Sequence, residues 1–307
     1  MWMYLLKRGA TALLTLFVAA TLTFFIMTAV PGDPFLSERA PSPEIREQMR
    51  AKYGLDKPIV VQYYNYMKNF IKGDLGVSYV QSKNRPVSEI IKKSFPVSAK
   101  VGALAILLSV VVGIPLGCLS ALKRDRLLDN FVRVFSTIGI AVPGFVVATV
   151  LLLLMAVRWK WLPAAGLNTP SSYIMPVLAL AMYPMCYIIR LMRSSMLDVI
   201  GQDYIRTAKA KGMRKSNVLF RQALRNSILP VITYLGPLIA GILTGGFVVE
   251  KIFNIPGLGR YYVKSIECRD YTIIMGTTIF YSGLLIFMMF CCDLVYTVVD
   301  PRITLDR

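Results

Sequence analysis

The chain has 307 residues, 55% of them hydrophobic and only 17% charged, with a mean hydropathy of +0.56. Such usage excludes an ordinary soluble globular domain and describes an integral membrane protein. Its formal charge of +18 comes from Lys and Arg gathered at the ends of apolar runs, where topology and anionic lipid account for them, so membrane lipid is expected as a partner and nucleic acid is not.

There is no histidine, which removes His general bases, HExxH zinc sites and Ser-His-Asp triads. Of the five cysteines all but Cys268 lie in apolar stretches, with no CxxC pair or disulfide framework. No catalytic residue, metal site or cofactor of the chain's own is expected.

Crossing roughly 30 Å of hydrocarbon takes about 20 apolar residues. Six stretches qualify: 9–30, 101–122, 134–157, 173–196, 227–249 and 271–299. The first follows Lys7 and Arg8, is too long for the apolar core of a cleaved signal and lacks a clear A-x-A site, so it is expected to stay as a span. Arg190 and Arg193 near the end of the fourth are read as snorkelling to head groups. This divides the chain into a first transmembrane helix (1–30), an extracytoplasmic helical loop (31–100) and a five-helix core (101–307) that carries a cytoplasmic loop at 197–226.

Within the first loop, Ser42, Pro43 and Glu44 predict a helix start and Gly54 its stop. Val61, Tyr64, Met67 and Ile71 repeat at helical spacing up to Gly73, and Val87, Ile90, Ile91 and Phe95 predict a third amphipathic turn. The cap so formed is either a lid or a docking surface for a soluble partner. Pro115, Pro143, Pro176, Pro184, Pro230 and Pro237 fall inside spans as candidate kinks. Gly241 and Gly245 form a G-x-x-x-G pattern, for packing within the chain or at a seam between subunits.

Between the fourth and fifth spans lies a basic insert, 202–226, carrying Arg206, Lys209, Lys211, Arg214, Lys215, Arg221 and Arg225. Asp203 reads as an N-cap, Ala208 and Ala210 as helix formers and Gly212 as a left-handed stop; a second helix is expected after Ser216. The charges alone are explained by topology and lipid. Ile205, Ala208 and Gly212, spaced by three and four, form instead a slim face suited to a partner's groove. Counted over short loops, 17 Lys and Arg lie on the side of this insert and six on the other, which places both termini and the insert in the cytoplasm. Past the fifth span, Glu250, Pro256 and Gly257 are candidates for an outer gate or a binding-protein contact, or merely shape a tight connection. Asp293, inside the sixth span, is either a functional intramembrane charge or the partner of a base such as Arg190.

These residues resemble a family. TAKAKG (207–212) followed by RQALRNSILP (221–230) is similar to the EAA-type cytoplasmic loop of binding-protein-dependent ABC importer permeases. PGDPF (31–35), SFPVSAK (94–100), VVEKIFNIPGLG (248–259), RDY (269–271) and VVDPRI (298–303) extend the likeness over the whole chain, to the B-type permease of oligopeptide and dipeptide importers. The acidic residue that begins the general loop motif is Arg206 here, the form characteristic of the peptide branch, and the proline that often ends the motif's second helix is absent. The resemblance implies an all-α, six-span type I ABC importer permease fold in a bacterial cell membrane. It implies a homologous second permease, an extracytoplasmic substrate-binding protein and two cytoplasmic ATPases that hold the ATP and magnesium. The ATPases would couple through Asp203, Ile205, Arg206, Thr207, Ala208, Lys211, Gly212 and Arg221. No GxxxxGK[ST] phosphate loop occurs in the chain itself, so hydrolysis is expected in the partners. An ion-coupled transporter or channel acting alone, and a nickel-chelate permease of the same family, are the alternatives.

Overall fold

The computed structural model describes residues 2–29, 35 and 43–299. In chain order its helices are α1 (Trp2–Ala29), α2 (Pro43–Lys52), α3 (Ile59–Ile71), α4 (Val87–Leu122), α5 (Leu127–Ala141), α6 (Gly144–Leu151), α7 (Ile174–Ile200), α8 (Asp203–Ala210), α9 (Lys215–Asn217), α10 (Leu224–Ser227), α11 (Leu229–Gly245), α12 (Phe247–Ile252), α13 (Leu258–Glu267) and α14 (Tyr271–Val299). π turns extend α6 over Leu152–Arg158 and join α9 to α10 over Val218–Ala223, and a 3₁₀ turn, Pro170–Tyr173, leads into α7. Among the described residues the one β feature is an isolated antiparallel bridge between Val77 and Pro86.

The chain divides into two compact units, Met1–Ser98 with Pro256–Ile286, and Ala99–Ile255 with Phe287–Arg307. In the first, Val87, Ile90 and Ile91 pack with Leu258 and Ile273, and Phe95 meets the Phe280 ring edge-on at 4.8 Å. Ala20 and Phe24 of α1 lie against α3, where the Phe24 ring sits 5.4 Å from both Tyr63 and Tyr66 and Thr21 hydrogen-bonds the Tyr63 hydroxyl at 2.9 Å. α2 and α3 fall where the pattern predicts, and Gly54 (φ 70°) and Gly73 (φ 79°) follow them in the left-handed region. The third amphipathic turn, however, is the start of α4, which runs unbroken for 36 residues. Pro96 and Lys100 interrupt the apolar pattern there without interrupting the helix.

In the second unit the predicted span 134–157 is two helices, α5 and α6, bent by 102°. The cause is local. Proline drives the residue before it out of the α region, and Val142 sits at ψ 122° ahead of Pro143 at ψ 140°. α4 packs on α7 through glycines: a Cβ at Gly117 would lie 2.7 Å from the Met192 Cβ and 2.8 Å from the Ile189 carbonyl oxygen, and one at Gly113 would lie 2.9 Å from Ile188. Gly113 and Gly117 are thus a working G-x-x-x-G seam. The pattern at 241–245 is not a seam within the chain at its first glycine, since a Cβ on Gly241 would meet nothing within 4 Å. Among the described residues five helices are long and apolar enough to span a membrane, and the α5–α6 pair makes six if it crosses as one.

Candidate functional site

The basic insert folds as α8, a turn, and the α9–π–α10 run. Gln202 rather than Asp203 takes the N-cap position of α8, and the second helix begins at Lys215 with Ser216 inside it. α8 closes with paired bonds, Gly212 N–H to Lys209 O at 3.0 Å and Met213 N–H to Ala208 O at 3.2 Å, around Gly212 at φ 74°. No atom crowds the Cβ position of Gly212, so the glycine answers to the backbone angle and not to space.

Ile205 (1% exposed) and Ala208 (8%) face inward, into a core with Val218, Ala223, Met192, Met196 and Val231. Two residues of the slim face read from the sequence, Ile205 and Ala208, are therefore turned toward the chain's own α7 and the π run before α10, while the third, Gly212, stays exposed. What this packing leaves outside is a rim of Asp203, Arg206, Thr207, Lys209, Lys211, Gly212, Arg214 and Arg221, interspersed with Tyr204 (40% exposed) and Phe220 (64%). Arg206 and Asp203 approach to 3.6 Å, yet both are solvated and the pair adds little. Asn226 Nδ2 donates to the Tyr204 hydroxyl at 2.8 Å and ties α8 to α10. Phe220 and Tyr204 escaped the charge-based reading, although an aromatic inside a basic run is itself a signal.

Arg193 does not snorkel. Its Nε and one terminal nitrogen each donate to Asp129 at 2.7 Å, while Ser120 Oγ (2.5 Å) and the Asp125 amide (3.0 Å) complete the shell of a carboxylate with no exposure. This fork pins the start of α5 to the end of α7.

In the other unit Asp270, fully buried, accepts bonds from Ser78 Oγ at 2.6 Å and from the amides of Tyr79, Val80 and Gln81 at 3.0–3.2 Å. Four donors on one carboxylate clamp the 77–86 turn to the start of α14. Asp270 stands in the RDY string, which carried family likeness but no assigned role. Gly257 is buried as the residue before α13 and Pro256 is exposed. Glu250 is 4% exposed, so it offers no surface to a soluble partner. The side chain of Asp293, and with it the predicted pairing to Arg190, lies outside the described residues, as do 31–34 and 300–303 of the family strings.

Residues 113–305 match the family model described as binding-protein-dependent transport system inner membrane component, and residues 1–102 match the corresponding N-terminal model. Over 304 residues the chain is 45% identical to the dipeptide transport system permease protein DppB of Bacillus subtilis, covering 99% of this chain and 98% of that protein. It is 42% identical over 302 residues to the oligopeptide transport system permease protein OppB of Haemophilus influenzae, with 98% of each covered. A chain of the inward-facing MetNI methionine ABC transporter superimposes with a TM-score of 0.56 at 13% identity, covering 69% of this chain and 97% of that one, a likeness of fold. An all-α chain with an ordered loop between its spans, matched end to end by such relatives, belongs to the inner-membrane components of binding-protein-dependent transport systems and adopts the type I ABC importer permease fold.

Proposed function

We propose that the chain is the transmembrane permease subunit of an ATP-driven importer of dipeptides or oligopeptides. It pairs with a homologous second permease, two cytoplasmic ATPases drive it, and an extracytoplasmic binding protein delivers the cargo. ATP and magnesium belong to the ATPases, and both termini and the 202–226 loop lie in the cytoplasm. The observation that supports this best is the construction of α8. Its buried side, Ile205 and Ala208, shares a core with Met192 and Met196 of α7, while its rim of Arg206, Lys211 and Arg221 with Tyr204 and Phe220 is open. A push on the rim is passed to a spanning helix through close packing and not through a flexible tether.

Purification of the tagged chain in mild detergent, with mass spectrometry of what accompanies it, tests the assembly: a second permease and an ATPase are expected, and recovery of the chain alone overturns the proposal. Gly212→Val tests the loop. A β-branched residue at φ 74° is strained, by roughly 1–2 kcal/mol or more, and reshapes the end of α8. Uptake is expected to fall at least about tenfold while insertion and recovery of the second permease persist. Unchanged uptake would remove the loop from the coupling route.

A further inference from the structure

A groove of about 690 Å³ opens between α5 and α7, of the size that holds a small ligand. On α7 its lining residues Tyr183, Tyr187, Arg190 and Ser194 follow one another at spacings of four, three and four, a single polar stripe along one face. Arg133 and Thr137, one turn apart on α5, stand opposite. Arg193 also reaches the groove, but its charge is already met by Asp129. Arg190 and Arg133 are exposed and have no acidic partner among the described residues. The tyrosines form a wall: Tyr187 lies 6.3 Å from Tyr183 and 4.3 Å from Tyr234, ring centre to ring centre.

A continuous polar stripe holding an arginine that meets no acidic partner among the described residues does not face hydrocarbon; in spanning helices such residues line protein or a water-filled path. The guanidinium is the side chain matched to carboxylate geometry, and tyrosine faces take apolar groups without demanding a particular one. A free peptide presents both chemistries, a C-terminal carboxylate that every sequence shares and side chains that vary. We infer that the α5–α7 groove is a surface of the translocation path, in which Arg190, with Arg133 beside it, holds the C-terminal carboxylate of the peptide in transit while Tyr183 and Tyr187 carry its side chains. The inference rests on the importer reading and adds to it the group that is recognised and the residues that recognise it.

The experiment uses the whole importer with its partner subunits, reconstituted in liposomes of phosphatidylcholine alone and of phosphatidylcholine with phosphatidylglycerol. Uptake of a labelled tripeptide with neutral side chains and ATP hydrolysis are both followed at saturating loaded binding protein. Arg190→Gln is expected to lower the number of peptides moved per ATP about tenfold in both lipids, the worth of one solvated charge-assisted hydrogen bond. Arg190→Lys, which keeps the charge and loses the fork, is expected to fall between. An unchanged ratio overturns the inference, including the case in which uptake and hydrolysis fall in parallel as a merely structural residue would make them. A deficit confined to the anionic liposomes also overturns it, since Arg190 would then be reading a lipid head group. Failure of the unmodified importer to move any peptide would instead count against the importer reading itself.

Discussion

The fork of Arg193 on Asp129 joins two helices across 64 positions of sequence, and nothing local announces it. Asp129 sits in a run of charges after the second span that reads as solvated loop, and Arg193 reads as a base near a helix end; only the fold brings them together. Because Asp129 is unexposed and Arg193 is 19% exposed, removing one partner leaves a charge with poor access to water. Asp129→Ala is therefore expected to cost about 3 kcal/mol, whereas Asp129→Ala with Arg193→Met recovers more than half of that by removing the stranded charge as well. The thermal midpoint of the purified chain, followed as the monodisperse fraction on gel filtration, measures both. Equal losses in the single and double variants would mean that desolvated charge is not what the pair contributes. Asp270 differs in one respect: its RDY string stood out in the sequence as family likeness, but its donors lie about 190 positions away, so neither its role nor its partners were legible.

At the scale of elements, the length of the apolar runs located the candidate spans, and pattern erred over where helices end. Proline explains both errors. Pro143 breaks a span that hydropathy reads as continuous, and Pro96 sits inside a helix that the pattern divides. Glycine spacing misled in the same way, because Gly113–Gly117 and Gly241–Gly245 are the same motif and only a neighbouring helix decides which is used. Gly117→Ala drives a Cβ into the Ile189 carbonyl at 2.8 Å, which is backbone and cannot swing aside, so a loss of about 1–3 kcal/mol is expected. Gly241→Ala meets nothing within 4 Å and is expected to hold or slightly raise the same thermal midpoint. A lower midpoint for Gly241→Ala than for Gly117→Ala would contradict the packing described. In the loop, the spacing of Ile205 and Ala208 correctly marked one face of α8. Spacing cannot say whether such a face meets a partner or the chain's own core, and here it meets the core.

For the whole molecule, a single hydrogen bond decides how often the chain crosses the bilayer. Ser78 and Asp270 lie 2.6 Å apart, oxygen to oxygen, so the turn after α3 and the turn before α14 are on one side of the membrane. Between them the chain runs through α4, the bent α5–α6 pair, α7 and α11 with α12. If the bent pair dipped in and returned on the same side, three crossings would separate Ser78 from Asp270 and put them on opposite faces. Four crossings are needed, so α5 and α6 traverse together despite their 102° bend, and the spans number six. This holds whichever way the protein is oriented. It predicts the sidedness of single-cysteine reporters in a chain cleared of its native cysteines. Lys83→Cys in the first turn and Ala164→Cys after α6, both exposed, should react with a membrane-impermeant thiol reagent from the same face. Asn217→Cys, exposed in the basic loop, should react only from the other, the face proposed above to be cytoplasmic. Labelling of Lys83→Cys together with Asn217→Cys from one face, with Ala164→Cys on the other, would show a re-entrant pair, and the Asp270 clamp could then not form in the membrane.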